Sequence, residues 1–520
     1  MSSSSGAIPP PGPVHDDLVE AAGYPPGAGW VKKGYHPRLA NEDLAPLENQ
    51  SWKTYNIFAF WMSDVHSVGG YVTAGSLFAL GLSAVQVFIA LIVGICIVQF
   101  FCNLVAKPSQ VAAVPYPVIS RASFGVLGAN IPAIIRGLIA VAWYGVQTFL
   151  AATSLNIVFM KIFPGLIPYA DVNQHGFLGL SYLGYLSFAI LWVAQAAVFW
   201  RGMESIRKFI DFCGPAVYVV MIVLCIYMLA KADWNVSLSL SDKELSTGAQ
   251  IGAMLGAIAL VVSYFSGPML NFGDFARYGN SFESVKKGNF WGLPVNFVIF
   301  SLLVVLTASA TVPVFGELIT DPVHTVEKID TLFAVLLGGM TFVIATVGIN
   351  IVANFISPAF DFSHVNPQKI SWRMGGMIAA FGSIILTPWN WYSNADAIFW
   401  TLGMLGALIG PLFGILIADY YVVRKQKVIV DDLFTMSESG TYWYKNGYNP
   451  AAVQAVVFSG AISILSVVIP KLGDVITWLP DYSWFLGCAL GYVSYYYLAL
   501  KYNVAGIADE NKESEAVATA

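Results

Sequence analysis

Long apolar runs recur almost from end to end of the chain, and short stretches rich in polar residues separate them. A helix needs about 20 consecutive apolar residues to cross the hydrocarbon core of a bilayer. The pattern predicts twelve such helices, which we number as spans 1 to 12. Their approximate bounds are 55–82, 84–106, 128–160, 180–200, 208–230, 249–268, 289–315, 329–357, 374–390, 395–421, 452–470 and 481–501. The predicted fold class is therefore all-α, a polytopic membrane bundle.

Two spans carry residues that interrupt a helix. In span 1, Gly69 and Gly70 closely follow Asp64 and His66, although a charge in hydrocarbon is costly. Span 6 closes with Ser-Tyr-Phe-Ser-Gly-Pro-Met-Leu at 263–270. Broken backbone at membrane depth is tolerated only where protein buries it or where it lines a wet cavity. Paired interrupted helices are typical of the central binding site of a transporter.

The two interrupted spans divide the bundle into similar units. Spans 1–5 and 6–10 each open with an interrupted helix, and each has a long third helix with polar residues four apart. Because five is an odd number, the second unit crosses the membrane in the opposite sense to the first. This arrangement is a five-plus-five inverted repeat with its site at the repeat interface. Spans 11 and 12 lack comparable polar groups and are predicted to be peripheral.

Composition and charge add an orientation. The chain is 57% hydrophobic and 11% charged, whereas soluble domains carry about 25% charged residues. Its net charge of −5 gives no reason to expect nucleic-acid binding. Most loop lysines and arginines lie inside if both termini are cytoplasmic, which favours a multi-pass protein of the plasma or inner membrane. Residues 1–50 and 504–520 are predicted to be flexible cytoplasmic tails around a transporter domain at 51–503.

The sequence does not favour an enzyme. The five cysteines lie in apolar runs without a Cys-x-x-Cys pair, and there is no His-Glu-x-x-His motif. We therefore expect no metal site and no cofactor, and we expect a monomer. A membrane enzyme and a channel are remote alternatives, because broken helices beside amide pairs favour a binding site.

Two polar pairs stand four residues apart and so share a helix face. Trp143 and Gln147 lie on span 3, and Asn350 and Asn354 lie on span 8. An indole face with a nearby amide suits a planar heterocycle that alternates N–H and C=O groups. The alternatives are core packing for Trp143 and interhelical hydrogen bonds for the amides. Phe265 on span 6 is either a second stacking ring or a packing residue.

The order of several motifs resembles a known family. Alongside the two pairs, the chain has Asn-Glu-Asp-Leu-Ala-Pro at 41–46 and Gly-Pro-Leu-Phe-Gly-Ile-Leu-Ile-Ala-Asp-Tyr at 410–420. Together they resemble the nucleobase–cation symporter-1 family of cytosine, uracil, purine, allantoin and hydantoin permeases. The resemblance implies a leucine-transporter-like five-plus-five fold with two extra helices, and uptake driven by a cation.

The resemblance also implies roles for individual residues. Trp143 matches the stacking aromatic, Gln147 the substrate-bonding amide and Asn354 the polar contact on span 8. Phe265 matches the second stacking ring, which is Trp in the hydantoin and allantoin types. Ser67 falls where members have Asn or Gln, and Asn350 is retained as a further candidate contact.

The family's sodium site is incomplete in this sequence. Its backbone carbonyls fall at Ser63, His66 and Ala345, and its two hydroxyl positions fall at Gly348 and Ile349. Neither of these last residues has a hydroxyl, and a hard cation needs oxygen ligands. The departure favours a proton over sodium as the coupling ion.

Asp64 and His66 are the candidate proton carriers. A histidine titrates near physiological pH, and burial can bring a carboxylate into that range. The alternatives are a helix-capping carboxylate for Asp64 and a neutral packed imidazole for His66.

Four further titratable residues follow spans 6 and 8, namely Asp274, Arg277, Asp361 and His364. We interpret them as inner-gate ion pairs or solvated loop charges in preference to substrate contacts. The expected function is import of a uracil-type or cytosine-type nucleobase, or a related planar heterocycle, by proton-favoured symport with alternating access. An allantoin or hydantoin permease with sodium coupling is the alternative.

Overall fold

The computed structural model describes residues 33–201, 203–238, 245–329, 331–392, 394–473 and 476–507. In these ranges it is a helical bundle with one short antiparallel ribbon, which pairs β1 (Gly176–Phe177) with β2 (Leu180–Ser181). Eight helices there are long and apolar enough to cross a membrane, and two shorter apolar helices cover Val68–Leu80 and Ala216–Lys231. The prediction of an all-α membrane bundle is confirmed.

The helices follow the predicted spans in order. They are α1 (Thr54–Val65), α2 (Val68–Ser76), α3 (Ala84–Ala112), α4 (Tyr116–Ile119), α5 (Arg121–Phe124), α6 (Asn130–Ile162), α7 (Tyr182–Trp200), α8 (Met203–Lys231), α9 (Thr247–Leu270), α10 (Gly273–Ala276), α11 (Phe282–Phe290), α12 (Asn296–Phe315), α13 (Pro322–Ile329), α14 (Leu332–Ile351), α15 (Ser357–Val365), α16 (Trp372–Ile385), α17 (Ala395–Ile417), α18 (Pro450–Gly473) and α19 (Ser483–Lys501). Segments of π-helix join α11 to α12 and α14 to α15 and extend α17; they are Trp291–Val295, Val352–Ile356 and Ala418–Val423.

The predicted break in span 1 lies between α1 and α2. His66 leaves the helix with φ −89° and ψ 53°, and Ser67 is extended with φ −102° and ψ 157°. The Ser67 hydroxyl then caps α2 by accepting a hydrogen bond from the backbone N–H of Gly70 at 3.0 Å.

Span 6 differs from the prediction. Helix α9 continues through Gly267 and Pro268 to Leu270, and the chain leaves the helix only at Asn271. A proline removes one hydrogen bond, which packing against neighbouring helices can offset in a membrane bundle. The Asn271 side chain instead bonds to Arg136 and Asp274, which fixes the turn into α10.

The packed part of the chain begins earlier than the predicted tail boundary at residue 50. The Tyr35 ring stacks on Phe434 at 4.4 Å, and its hydroxyl donates to Asp431 at 2.6 Å. Leu44 is buried, and Asn41 donates to the Ser363 hydroxyl at 2.9 Å. Apolar side chains between polar ones hold residues 33–50 on the bundle, so this part is not a free tail.

The chain also packs slightly beyond the predicted boundary at 504, because Val504 and Ile507 are buried. Residues 1–32 and 508–520 of the predicted tails lie outside the described residues. We call the face that carries residues 33–53 and 502–507 the N-terminal face. The opposite face, with the loops at 163–181 and 316–329, is the far face.

Helices α17 and α19 pack through glycines. A Cβ atom at Gly414 would lie 2.0 Å from the Cys488 carbonyl oxygen, and one at Gly491 would lie 2.4 Å from the Pro411 carbonyl oxygen. Small residues allow helix backbones to approach this closely in membranes. Span 12 is therefore fixed to span 10 by backbone contact.

This contact makes a stability prediction. We expect Gly414→Ala to lower the melting temperature in detergent, because the methyl group overpacks the interface at a cost of about 1–3 kcal/mol. Gly460→Ala is the matched control, since a Cβ atom there meets nothing within 4 Å. Equal melting temperatures for the two variants would contradict the α17–α19 packing.

Candidate binding site

The helix break brings four elements together in the middle of the bundle. The backbone N–H of Val68 donates to the Thr346 hydroxyl of α14 at 3.3 Å. A Cβ atom at Gly69 would lie 2.8 Å from the amide nitrogen of Gln147 on α6. Only glycine allows that approach, so the Gln147 amide rests against the start of α2. The Ser67 hydroxyl lies 3.5 Å from the hydroxyl of Tyr264 on α9.

Trp143 and Gln147 lie together as predicted, and both are buried. The edges of two tyrosines face the Trp143 ring: Tyr264 with centroids 5.4 Å apart and Tyr392 with centroids 5.6 Å apart. Gln147 Oε1 is buried and has no hydrogen-bond partner among the described residues. An aromatic box with an unused acceptor beside it can hold a flat molecule that carries an N–H group.

Phe265 does not join this box. Its ring packs on Tyr264 at 5.0 Å and on Phe297 at 5.6 Å, in an apolar recess with Leu91 and Phe300. Successive residues point about 100° apart on a helix. The neighbouring Tyr264 therefore faces Trp143, and the sequence analysis missed it. The available signal was its hydroxyl, because a polar-tipped ring fits a polar site better than a phenyl ring does.

The two asparagines of the other pair have different surroundings. The Asn350 amide group donates to the Tyr144 carbonyl oxygen, the Thr148 hydroxyl and Gln195 Oε1 at 2.7–3.0 Å. Its Oδ1 accepts from Asn354 at 3.0 Å. These bonds already use both amide hydrogens of Asn350, so the interhelical alternative describes this residue and a substrate contact does not.

Asn354 is better placed for a ligand. It lies within the π-helical segment between α14 and α15 and is 6% exposed. Its amide nitrogen bonds Asn350, and no hydrogen bond from a described residue reaches its Oδ1. A π-helical turn of this kind often marks a functional position.

The candidate cation positions converge where α14 packs on both halves of span 1. Ser63, Ala345, Gly348 and Ile349 are all buried there. The nearby hydroxyl of α14 belongs to Thr346, and it accepts the Val68 backbone N–H. Gly348 and Ile349, which occupy the two hydroxyl positions of the family's sodium site, carry no hydroxyl group.

His66 and Asp64 have unlike environments. His66 Nε2 lies 3.3 Å from Asn296 Oδ1, and Nδ1 lies 2.8 Å from the Tyr71 hydroxyl. The ring also packs on Tyr218 at 4.3 Å, so the contacts of His66 are with uncharged side chains. Asp64 is buried near the end of α1 and caps no helix, because no backbone N–H of a described residue donates to it.

A cavity of about 650 Å³ leads inward from the far face. Tyr392 lines its inner end and also faces Trp143. Its hydroxyl bonds to the Thr73 hydroxyl, which itself donates to the Gly69 carbonyl oxygen at 2.7 Å. Tyr392 therefore separates the aromatic box from the cavity.

Comparison with known proteins places these features in a family. The sequence profile described as "Permease for cytosine/purines, uracil, thiamine, allantoin" matches residues 45–487. The chain belongs to this family, nucleobase–cation symport-1. Nucleobase–cation symport-1 proteins are permeases, which supports a transporter over an enzyme.

Two curated relatives cover most of the chain. It is 33% identical to "Allantoin permease" of Bacillus subtilis over 92% of this chain and 96% of that protein. It is 30% identical to "Purine-uracil permease NCS1" of Arabidopsis thaliana over 85% of this chain and 74% of that protein. The two relatives are named for different substrates.

A solved structure shares the fold. Mhp1, described as a nucleobase-cation-symport-1 family transporter in a closed conformation with bromovinylhydantoin bound, matches with a TM-score of 0.71 and 21% identity. The match covers 89% of this chain and 96% of Mhp1. The predicted leucine-transporter-like fold is confirmed for this member of the symport-1 family.

The two asparagines give a prediction that needs no ligand. Asn350→Ala should lower the melting temperature, because it leaves Gln195 Oε1 and the Asn354 amide nitrogen without their partner at about 1–3 kcal/mol per buried group. Asn354→Ala should lower it less, since it removes one bond to Asn350. Differential scanning fluorimetry of both variants in detergent measures the difference, and a larger loss for Asn354→Ala would reverse the assignment.

Proposed function

We propose that the protein imports a planar heterocycle of the nucleobase type, uracil or cytosine, by cation-coupled alternating access. The observation that carries the proposal is the unpartnered Gln147 Oε1 one helical turn from the Trp143 ring. In this site the ring stacks on the heterocycle and the amide bonds its alternating N–H and C=O edge. Asn354 Oδ1 offers a second acceptor.

Allantoin is the second candidate substrate. The departures from the family pattern at Phe265 and Ser67 count against it, but Phe265 points away from the Trp143 box. Similarity to the Bacillus subtilis allantoin permease over 92% of the chain favours it further. Uracil and allantoin share adjacent N–H and C=O groups, so the same amide contacts serve both.

The distribution of charge indicates how the protein is oriented in the membrane. We propose that the N-terminal face is cytoplasmic and lies on the inner side of the plasma or inner membrane, because the loops on that face carry most of the lysines and arginines. The far face is then extracellular, and its cavity supplies the entry route to Tyr392. Tyr392 and Thr73 must separate before a ligand can reach the box.

The substrate assignment is tested by a thermal-shift screen of uracil, cytosine, hydantoin and allantoin. A ligand at 100 times its dissociation constant stabilises the folded protein by about 2.7 kcal/mol, so a true substrate raises the melting temperature. Gln147→Ala and Tyr264→Leu should abolish that rise, because they remove the polar contact and one wall of the box.

Phe265→Leu is the matched control, since it changes a ring that packs on Tyr264 and Phe297 but does not face Trp143. It should keep the ligand-induced rise even if its own melting temperature is lower. A Gln147→Ala protein that responds to the ligand like the wild type would refute the proposed site. If Phe265→Leu alone lost the ligand-induced rise in melting temperature, Phe265 would be the stacking residue.

We propose that a proton, not sodium, couples to uptake. The fold places no hydroxyl at Gly348 or Ile349, and Thr346 already bonds Val68. A hard cation would therefore meet mainly backbone carbonyls. Asp64 is the candidate carrier in span 1, and His66 is not, because neutral partners occupy both of its ring nitrogens.

Proteoliposomes with separately imposed pH and sodium gradients test the coupling ion. We expect uptake to follow the pH gradient, to be indifferent to sodium, and to fall in Asp64→Asn. Uptake driven by sodium at constant pH would show that carbonyl oxygens form a sodium site, and the proton proposal would be wrong.

A further inference from the structure

A buried polar cluster lies between the candidate site and the N-terminal face. It joins α4, α6, the turn into α10, and α15, and each of its side chains is at most 1% exposed. We call it the inner cluster, and its members are Tyr116, Arg136, Asn271, Asp274, Ser357 and Asp361. These residues are not the solvated loop charges that their positions in the sequence allowed.

Hydrogen bonds satisfy Asp274 as a carboxylate. Its Oδ1 accepts the backbone N–H of Tyr116 at 2.8 Å, and its Oδ2 accepts the Asn271 amide at 3.0 Å. The Asn271 amide also donates to the Ser357 hydroxyl, and its Oδ1 accepts Arg136 Nε at 3.0 Å. Burial raises the pKa of Asp274 to about 6, and these hydrogen bonds act against that rise by favouring the ionised form.

Asp361 has no such support. It is completely buried, and neither of its carboxylate oxygens has a hydrogen-bond partner among the described residues. Arg136 Nη1 and the Tyr116 hydroxyl are likewise buried and unpartnered. Burying an ionised carboxylate without a partner is far more costly than burying the protonated acid. The absence of hydrogen-bond partners therefore favours the protonated acid over the carboxylate at Asp361.

The surrounding charges act on Asp361 in opposite directions, since Asp274 disfavours its carboxylate and Arg136 favours it. Arg136 interacts with three carboxylates, those of Asp361, Asp274 and Asp64. Arg277 interacts with Asp274 and lies over the Phe360 ring. Helix α16 packs on α15 where Gly375 lies against the backbone of Ala359. The titratable groups that interact with Asp361 are Arg136 from α6, Asp274 from α10 and Tyr116 from α4.

Two helices connect the inner cluster to the ligand site. Asp361 follows Asn354 by seven residues, and Arg136 precedes Trp143 by seven residues. Seven residues span about 10 Å of helix, or two turns. Asn350, Asn354, Ser357 and Asp361 follow one another at intervals of three or four residues, from the end of α14 through the π-helical segment into α15. Continuous helical backbone therefore joins Asn354 to Asp361.

We propose that Asp361 is a proton-binding site that couples substrate uptake to opening of the N-terminal face. With the inner cluster closed, the carboxylic acid keeps its proton. When that face opens, water reaches the carboxyl group and takes the proton, and the resulting carboxylate pairs with Arg136. The inference rests on the proton coupling proposed above and adds to Asp64 a second acid on the inner side of the ligand site.

The test compares wild type with Asp361→Asn, which has the size of the protonated acid but cannot release a proton. The variant should bind the substrate identified in the thermal-shift screen and exchange labelled for unlabelled substrate across proteoliposomes. It should not accumulate substrate along a pH gradient. Wild-type affinity should rise as pH falls, by a factor in the usual range of about 5–150 for coupled sites, and this dependence should be lost in the variant.

Asp274→Asn is the matched control, because it alters a carboxylate of the same cluster whose hydrogen bonds favour the ionised form. It should lower the melting temperature and keep a pH dependence of binding, displaced toward lower pH because the Asp274 charge no longer opposes ionisation of Asp361. Infrared difference spectra of wild type need no variant, and they should show a carboxylic acid band that disappears when the pH is raised.

The outcomes separate this inference from the coupling proposal. Accumulation by Asp361→Asn along a pH gradient would overturn the assignment of Asp361 and leave proton coupling intact. Wild-type uptake that follows sodium alone would overturn both. If Asp361→Asn fails to fold, the infrared spectra of wild type still test the assignment. It would be overturned if no carboxylic acid band disappears from those spectra when the pH is raised.

Discussion

The rest of the site depends on how the protein satisfies the broken backbone between α1 and α2. Within a membrane no bulk water can bond a free N–H group, so protein must supply the acceptors. The Ser67 hydroxyl accepts from Gly70, and the Thr346 hydroxyl accepts from Val68. The second bond fixes α14 beside the break, and the absence of a side chain at Gly69 lets the Gln147 amide lie against it. The ligand site is thus assembled around a backbone requirement.

Hydrogen-bond satisfaction also separates structural amides from functional ones. Asn350 bonds three helical partners and fixes α14 to α6 and α7, whereas Gln147 Oε1 has no partner among the described residues. The same distinction divides the acids of the inner cluster, where Asp274 is fully bonded and Asp361 is not. An unsatisfied polar atom in a buried site costs free energy, so a ligand, a water molecule or a proton is expected there.

The two ends of the site are closed by different physical means. Towards the far face, one hydroxyl pair between Tyr392 and Thr73 stands between the aromatic box and a cavity of about 650 Å³. Towards the N-terminal face, a charged cluster lies two helical turns from the box, and residues 33–50 pack beneath it. A single hydroxyl contact separates more readily than a buried network, which is consistent with entry from the far face.

The sequence by itself determined the spans, the inverted repeat, the break in span 1, and the shared face of Trp143 and Gln147, because hydrophobic period and helical spacing are local properties. Tertiary structure decided what depends on neighbours. It selected Tyr264 over Phe265, because one residue's rotation about α9 decides which ring meets α6. Packing between helices lets α9 continue past Pro268, and it places residues 33–50 on the bundle. It also supplies the hydrogen-bond partners of Asn350 and His66. Which buried polar atoms find partners is set by helices far apart in sequence, and no local pattern encodes that.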